Sequence, residues 1–210
     1  YFQVREASNG DYAALPDIVE GYMEKINAVT GRDYHIFNYY GAPDAERVIV
    51  AMGSVSTCIE EVVDHLTAKG EKVGFLQVHL YRPFDISRFI AAIPETCNAI
   101  AVLDRTKEMG STGDPLYLDV CAATRGRADL KVVGGRYGLS SKDTTPAQIA
   151  AVYTNLAKEE PLNSFTIGIT DDVTHLSLPE EGPLYFNEGG VVRCKFWGLG
   201  GDGTVGANHD

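Results

Sequence analysis

The chain has 210 residues, of which 44% are hydrophobic and 22% charged, and its formal net charge is −11 at pH 7. This composition is typical of a soluble globular protein, and the acidic balance argues against nucleic-acid binding, which needs a basic surface. No apolar run approaches the roughly 18 residues of a membrane span, and the first residues lack the pattern of a secretory signal peptide. The sequence therefore predicts a cytoplasmic protein with no membrane or nucleic-acid partner.

The first predicted element is an amphipathic helix. Ser8 or Asn9 can cap it, Pro16 is tolerable only near its start, and Gly31 ends it. Residues 32–47 are predicted to form a loop whose aromatic side chains pack the helix onto the rest of the chain. The apolar residues with helical spacing are Leu15, Ile18, Val19, Tyr22, Met23, Ile26 and Val29.

From residue 48 onward, short apolar runs alternate with helical patterns. The runs predict strands at 48–52, 73–80, 99–103, 131–133 and 165–169, with Gly134 and Gly135 ending the fourth strand. The intervening segments predict helices at 54–69, 84–93, 116–124 and 146–157. Strands that are apolar throughout are typical of a parallel sheet covered on both faces. The sequence therefore predicts an α/β fold with three layers, α/β/α, and a mainly parallel sheet.

The end of the chain has a different composition. Residues 171–190 are polar and rich in turn-forming residues, which predicts an interdomain linker. A strand is predicted at 191–197, and a glycine-rich tract with the G-x-G-x-x-G spacing of a dinucleotide-binding loop follows it. The helix and the acidic residue that complete such a site are missing, so a structural loop fits equally well. The candidate loop glycines are Gly198, Gly200, Gly201 and Gly203.

Three of the predicted strands are followed by an arginine. Because the carboxyl ends of parallel strands meet at one edge of the sheet, where ligands bind, these arginines are candidates for an anion or carboxylate site. The alternative is that they form ion pairs, either across a domain interface or locally with Asp104 and Glu108. The arginines are Arg82, Arg105 and Arg136.

The sequence predicts neither a catalytic residue nor a metal site. Ser54, Ser140 and Ser141 have no evident histidine partner, and a Gly-x-Ser-x-Gly motif is absent from the sequence. The cysteines and histidines lack the clustered spacing of zinc or iron–sulfur ligands, so we expect the cysteines to be small buried residues. The cysteines are Cys58, Cys97, Cys121 and Cys194, and the histidines are His35, His65, His79, His175 and His209.

Six segments, in order along the chain, resemble the pyruvate:ferredoxin (flavodoxin) oxidoreductase family. They are FQVREASN at 2–9, GAPDAERVIVAMGS at 41–54, LYRPF at 80–84, LDRTKE at 103–108, GGRYGLSSK at 134–142 and KFWGLGGDGTVGAN at 195–208. The resemblance covers essentially the whole chain. It departs from the family at His209, where a lysine is usual.

The resemblance implies an internal fragment of a much longer enzyme. That enzyme is expected to decarboxylate pyruvate on thiamine diphosphate and magnesium, to pass electrons through iron–sulfur clusters to ferredoxin or flavodoxin, and to form acetyl-coenzyme A as a homodimer. The motifs that bind thiamine diphosphate and iron–sulfur clusters lie outside this chain, so no cofactor is expected within it.

The resemblance also implies a division of the chain into domains. Residues 41–170 are similar to the C-terminal domain of transketolase, and 1–40 form a helix and packing segment before it. Residues 171–190 form the linker, and 191–210 begin a further domain that is implicated in coenzyme A binding.

Two hypotheses for function follow. The favoured one is a structural and docking domain of the oxidoreductase that contacts the other domains of the same polypeptide and has no activity alone. The alternative is an autonomous module that binds coenzyme A or another phosphorylated ligand through the glycine tract and the three arginines.

Overall fold

The computed structural model describes residues 1–184, 186, 194–203 and 206. The helices are α1 (Phe2–Ala7), α2 (Asn9–Thr30), α3 (Ser56–Thr67), α4 (Ile86–Ala92), α5 (Pro115–Thr124) and α6 (Pro146–Leu156). The strands are β1 (Phe37–Gly41), β2 (Arg47–Ala51), β3 (Val73–Val78), β4 (Ala99–Asp104), β5 (Lys131–Arg136) and β6 (Phe165–Thr166). A short 3₁₀ helix spans Leu139–Ser141.

The strands form one six-stranded sheet in the order β1-β3-β2-β4-β5-β6, in which β1 alone is antiparallel to its neighbour. Alternate residues of β2 point to opposite faces: Ile49 packs against α3 and α6, whereas Val48 and Val50 pack in the core under α4 and α5. Each fully buried side chain of this kind stabilises the fold by about 1.5–3 kcal/mol. The predicted three-layer α/β/α fold with a mainly parallel sheet is confirmed.

The prediction of a loop at 32–47 is wrong, because this segment contains the edge strand β1. Phe37 of β1 lies under α4, where its ring meets the rings of Phe84 and Phe89 edge-on at centroid distances of 5.5 Å. The strand pairs with β3 from Phe37 opposite Val78 to Gly41 opposite Gly74. Aromatic side chains that the sequence assigns to loop packing therefore extend the sheet by one strand.

The prediction that Gly134 and Gly135 end the fourth strand is also wrong. β5 continues through both glycines to Arg136 and pairs with β6 beside it. The physical reason is the ring of Phe165, since a Cβ atom on Gly135 would lie 2.2 Å from its Cε2 atom. Glycine serves here to admit a large side chain against the strand rather than to terminate it.

The predicted N-terminal helix is α2, and it presents only part of its apolar surface to the domain. Pro16 is its only buried residue, while Val19 and Met23 are partly buried against the core. Four apolar residues at helical spacing are exposed: Ile18 by 51%, Tyr22 by 62%, Ile26 by 47% and Val29 by 87%.

Polar contacts fix α2 to the residues just before β1. The Glu20 carboxylate accepts a hydrogen bond from the backbone N–H of Ile36 at 3.0 Å and lies 3.0 Å from Nδ1 of His35. The Asn27 side chain bonds both the N–H and the carbonyl of Tyr34. One side of the helix is thus held in place, and the four exposed apolar residues lie on another side.

The polar segment after β6 begins by packing on the domain. Leu178 is buried in the core, and Thr166 and Ser177 form an isolated parallel bridge. The Asp171 carboxylate accepts hydrogen bonds from the Thr174 hydroxyl, which lowers its pKa most, and from the N–H groups of Val173, Thr174 and Leu176, which lower it further. The linker at 171–190 and the other domain bounds remain predictions.

The predicted strand at 191–197 is not confirmed. Its first three residues lie outside the described residues, and Cys194 to Trp197 form no strand. His209 also lies outside the described residues.

Within the described ranges, no helix has both the length and the apolar character needed to cross a membrane. The same part of the chain contains no group of three or more metal-ligating side chains.

Candidate functional site

The three arginines at the carboxyl edge of the sheet lie in three different environments. Arg82 follows β3, and its guanidinium lies over the Tyr81 ring at 3.9 Å and forms an ion pair with Asp119 of α5 at 2.7 Å. An acidic side chain of the chain itself therefore neutralises this arginine, but it is neither Asp104 nor Glu108, the local partners that the sequence suggested. The partner is on a helix rather than in the adjacent loop.

Arg136, at the end of β5, is committed to a buried ion pair. Its Nε atom lies 2.6 Å from Oδ2 of Asp114, and the two side chains are only 11% and 6% exposed. A second guanidinium nitrogen donates to the carbonyl of Ser164 at 3.1 Å. The other oxygen of Asp114 accepts the backbone N–H of Glu108, so the pair joins β5, the start of α5 and the loop before it.

Asp104 has a structural task of its own. Its buried carboxylate accepts the backbone N–H groups of Leu116 and Tyr117 at 3.0 Å each, at the start of α5. Burial raises its pKa, against these hydrogen bonds. The prediction that the arginines pair locally with Asp104 and Glu108 is therefore wrong. Asp104 caps the first turn of α5 instead.

Arg105 differs from the other two arginines. Its Nε atom donates to the carbonyl of Gly138 at 3.1 Å, and its side chain lines a cavity of about 500 Å³ beside the ends of β2, β4 and β5. Lys142 lines the same cavity, and neither side chain has an ion-pair partner among the described residues. The sequence supplies Lys142 within the GGRYGLSSK motif, but spacing alone does not indicate that it lies beside Arg105.

The thiol in this cavity is not suited to nucleophilic chemistry. Burial raises the pKa of Cys58 to about 11, and its Sγ atom lies 3.7 Å from the carbonyl oxygen of Thr144. A thiol with this pKa is protonated at neutral pH, and the thiolate is the nucleophilic form. The hydroxyl of Tyr137 donates to the carbonyl of Met52 at 3.2 Å. The Cys58 thiol is therefore not a nucleophile for this cavity at neutral pH.

The described residues of the candidate glycine loop are exposed. Gly198, Gly200, Gly201 and Gly203 form no helix, and the N–H of Leu199 donates to the Asp202 carboxylate at 2.9 Å. A phosphate would need such N–H groups for itself and would be repelled by the carboxylate. In this conformation the described loop does not fit the phosphates of coenzyme A.

The chain is similar to proteins of one enzyme family. A family model described as pyruvate:ferredoxin oxidoreductase core domain II matches residues 45–149. A pyruvate-flavodoxin oxidoreductase from Enterobacter agglomerans is 58% identical over 99% of this chain, which spans 18% of that protein. The chain thus covers less than a fifth of the length of the curated relatives it matches first.

Two solved structures are similar at lower identity. The first is 2-oxoglutarate:ferredoxin oxidoreductase from Magnetococcus marinus, at 17% identity and a TM-score of 0.43 over 65% of this chain and 22% of that one. The second is a split-gene transketolase, at 18% identity and a TM-score of 0.36 over 53% of this chain and 35% of that one.

The match of the family model to residues 45–149 places the chain in the pyruvate:ferredoxin oxidoreductase core domain II family.

Proposed function

We propose that this chain is a structural and docking domain of a pyruvate:ferredoxin or flavodoxin oxidoreductase and has no activity of its own. The complete enzyme would oxidise pyruvate to acetyl-coenzyme A and carbon dioxide and deliver electrons to ferredoxin or flavodoxin. Thiamine diphosphate, magnesium and iron–sulfur clusters would be held by other parts of the polypeptide. A homodimer in the cytoplasm remains part of this proposal.

The observation that carries the docking role is the exposed apolar side of α2. Ile18, Tyr22, Ile26 and Val29 recur at helical spacing and remain largely in water, although the same helix is fixed to the domain by its other side. Contiguous apolar surface of this kind marks an interaction site. The chain spans 18% of its relatives' length, so the occupant we propose is a neighbouring domain of the same polypeptide.

The docking role can be tested by comparing Ile26→Glu in the isolated chain and in the full-length enzyme. In the isolated chain Ile26 is half exposed, and the unfolding free energy should change little. In the full-length enzyme the substitution should cost at least the roughly 1.5–3 kcal/mol gained by burying an isoleucine side chain. The matched control is Ala13→Glu, at an exposed position on another side of α2. Equal effects of Ile26→Glu in both forms would overturn the docking role.

The absence of activity can be tested directly. We expect the isolated chain, supplied with pyruvate, thiamine diphosphate, magnesium and coenzyme A, to leave a viologen dye unreduced. The full-length enzyme in the same assay is the positive control. Pyruvate-dependent reduction by the isolated chain above background would contradict the proposal.

A further inference from the structure

The cavity beside Arg105 lies where an open parallel sheet presents its ligand site. From β2 the chain passes to β3, which lies on one side of β2 in the sheet. It then crosses over to β4, which lies on the other side of β2, so the direction of the strand order reverses between β2 and β4. In such sheets, ligands bind outside the carboxyl ends of the strands at this reversal. Ser54, just after β2, and Arg105, directly after β4, both line the cavity, and Gly138 after β5 completes it. Its volume of about 500 Å³ is in the range of small-molecule sites, roughly 300–1,000 Å³.

From this arrangement we infer that the cavity binds a phosphate-bearing ligand through Arg105 and Lys142. Two cations face the cavity against one carboxylate, that of Asp143, in a chain whose net charge is −11. The guanidinium of Arg105 uses Nε for the Gly138 carbonyl, and its two terminal nitrogens have no acceptor among the described residues. Lys142 likewise has no side-chain partner in the described ranges. The cationic groups are therefore available to an added anion.

The walls of the cavity supply hydrogen-bond donors of the kind that phosphate oxygens accept. Ser54 and Ser141 line it, and so does Cys58 in the first turn of α3, whose backbone N–H has no acceptor in the described part of the chain. Phosphate groups favour such donors together with an arginine fork and a lysine point charge. Such donors in a cavity that also holds two cationic residues favour a phosphate over a single carboxylate.

The position of the Arg105 side chain depends on a glycine. Gly138 has φ of +64°, and a Cβ atom there would lie 3.0 Å from Nε of Arg105 and 3.4 Å from its Cδ atom. Glycine at this position permits both the turn and the close approach of the side chain. The turn therefore holds the Nε atom of Arg105, while the two terminal nitrogens of its guanidinium have no acceptor among the described residues.

Arg105 differs from Arg82 and Arg136 because no carboxylate among the described residues pairs with it. Arg82 is paired with Asp119 at 2.7 Å, and Arg136 with Asp114 at 2.6 Å. An anion at either would have to displace a carboxylate of the chain, whereas an anion at Arg105 would not. The site is a property of the isolated chain and does not depend on the docking role of α2, so the failure of one proposal leaves the other intact.

The test is a calorimetric titration of inorganic pyrophosphate into the chain at low ionic strength. We expect saturable binding that Lys142→Ala and Arg105→Gln each weaken at least tenfold. The matched control is Lys107→Ala, which removes an exposed cation after the same strand from a position outside the cavity. Because the Lys142 side chain has no hydrogen-bond or ion-pair partner among the described residues, its variant remains informative if Arg105→Gln unfolds.

Three results would overturn the inference. The first is the absence of binding heat at millimolar pyrophosphate, and the second is an equal loss of affinity in Lys107→Ala, which would reduce the effect to general charge. The third is that succinate, a dicarboxylate, binds as tightly as pyrophosphate, which would remove the assignment to phosphate. The phosphate site would be supported if succinate binds more weakly than pyrophosphate and only Lys142→Ala and Arg105→Gln lose pyrophosphate affinity.

Discussion

Asp114→Asn tests whether Arg136 is committed to its buried ion pair. Asparagine keeps an oxygen for the N–H of Glu108 and is a good N-cap residue, but it removes the charge and sets an amide N–H₂ donor against the Nε donor of Arg136. Removing one partner of a buried pair costs about 3–5 kcal/mol because the other charge is left uncompensated. The nearby Asp104 carboxylate interacts with Arg136 and offsets part of that loss, so we expect about 3 kcal/mol.

The magnitude of this effect can be measured by urea unfolding of the isolated chain. For a domain of this size, a loss of about 3 kcal/mol corresponds to a fall in Tm of roughly 6–12 °C. The matched control is Asp129→Asn, which breaks the 3.7 Å contact with Arg127 at a carboxylate that is 74% exposed. Exposed pairs contribute about 0–1 kcal/mol. If Asp114→Asn lowers the unfolding free energy no more than the control does, the ion pair with Asp114 does not hold Arg136. Arg136 would then again be a candidate for an anion site.

Two further predictions concern packing and pH. Gly135→Ala should cost about 1–3 kcal/mol in urea unfolding, because its Cβ atom must displace the Phe165 ring, whereas Gly126→Ala has open space and should be tolerated. The pKa of His35 is raised, chiefly by its hydrogen bond to a glutamate of α2, so its stabilising effect is full below its unfolded pKa and is lost as pH rises through the folded value. The urea midpoint of His35→Asn should therefore converge on that of the parent chain as the pH is raised from below to well above the ordinary histidine value of 6.5. His175→Asn is the control, because His175 forms no ion pair among the described residues, and a gap for His35→Asn that stays constant as the pH is raised would refute the pH argument.

The alternation of strands and helices could be predicted because it depends on local patterns. Apolar runs such as that of β4 are buried on both faces, so their composition alone indicates an interior strand. The edge strand β1 could not be identified in the same way. Asn38 and Tyr40 alternate with Phe37 and Tyr39 along it, and its pairing partner β3 begins more than 30 residues later. An edge strand with one solvated face has the composition of a loop until its partner is known.

Long-range packing also determines whether the two glycines of β5 continue the strand and which apolar residues of α2 are buried. Gly135 admits the ring of Phe165, which lies 30 residues further along the chain, and no local signal distinguishes this use from a strand end. Helical spacing predicts the amphipathic character of α2 but not which part of its apolar surface meets this domain. The sequence pattern therefore identifies surfaces that must be covered without saying what covers them.

The same reasoning explains why three arginines that look equivalent in the sequence differ in the structure. Arg82 and Arg136 are neutralised by two carboxylates of a single element, Asp119 within α5 and Asp114 at its N-cap. Arg105 follows β4 directly, and its side chain meets the turn at Gly138 rather than either carboxylate. The placement of α5 against β4 and β5 thus determines which positive charge stays available. A cluster of like charges at a sheet edge becomes a candidate site only where the chain's own acids fail to reach it.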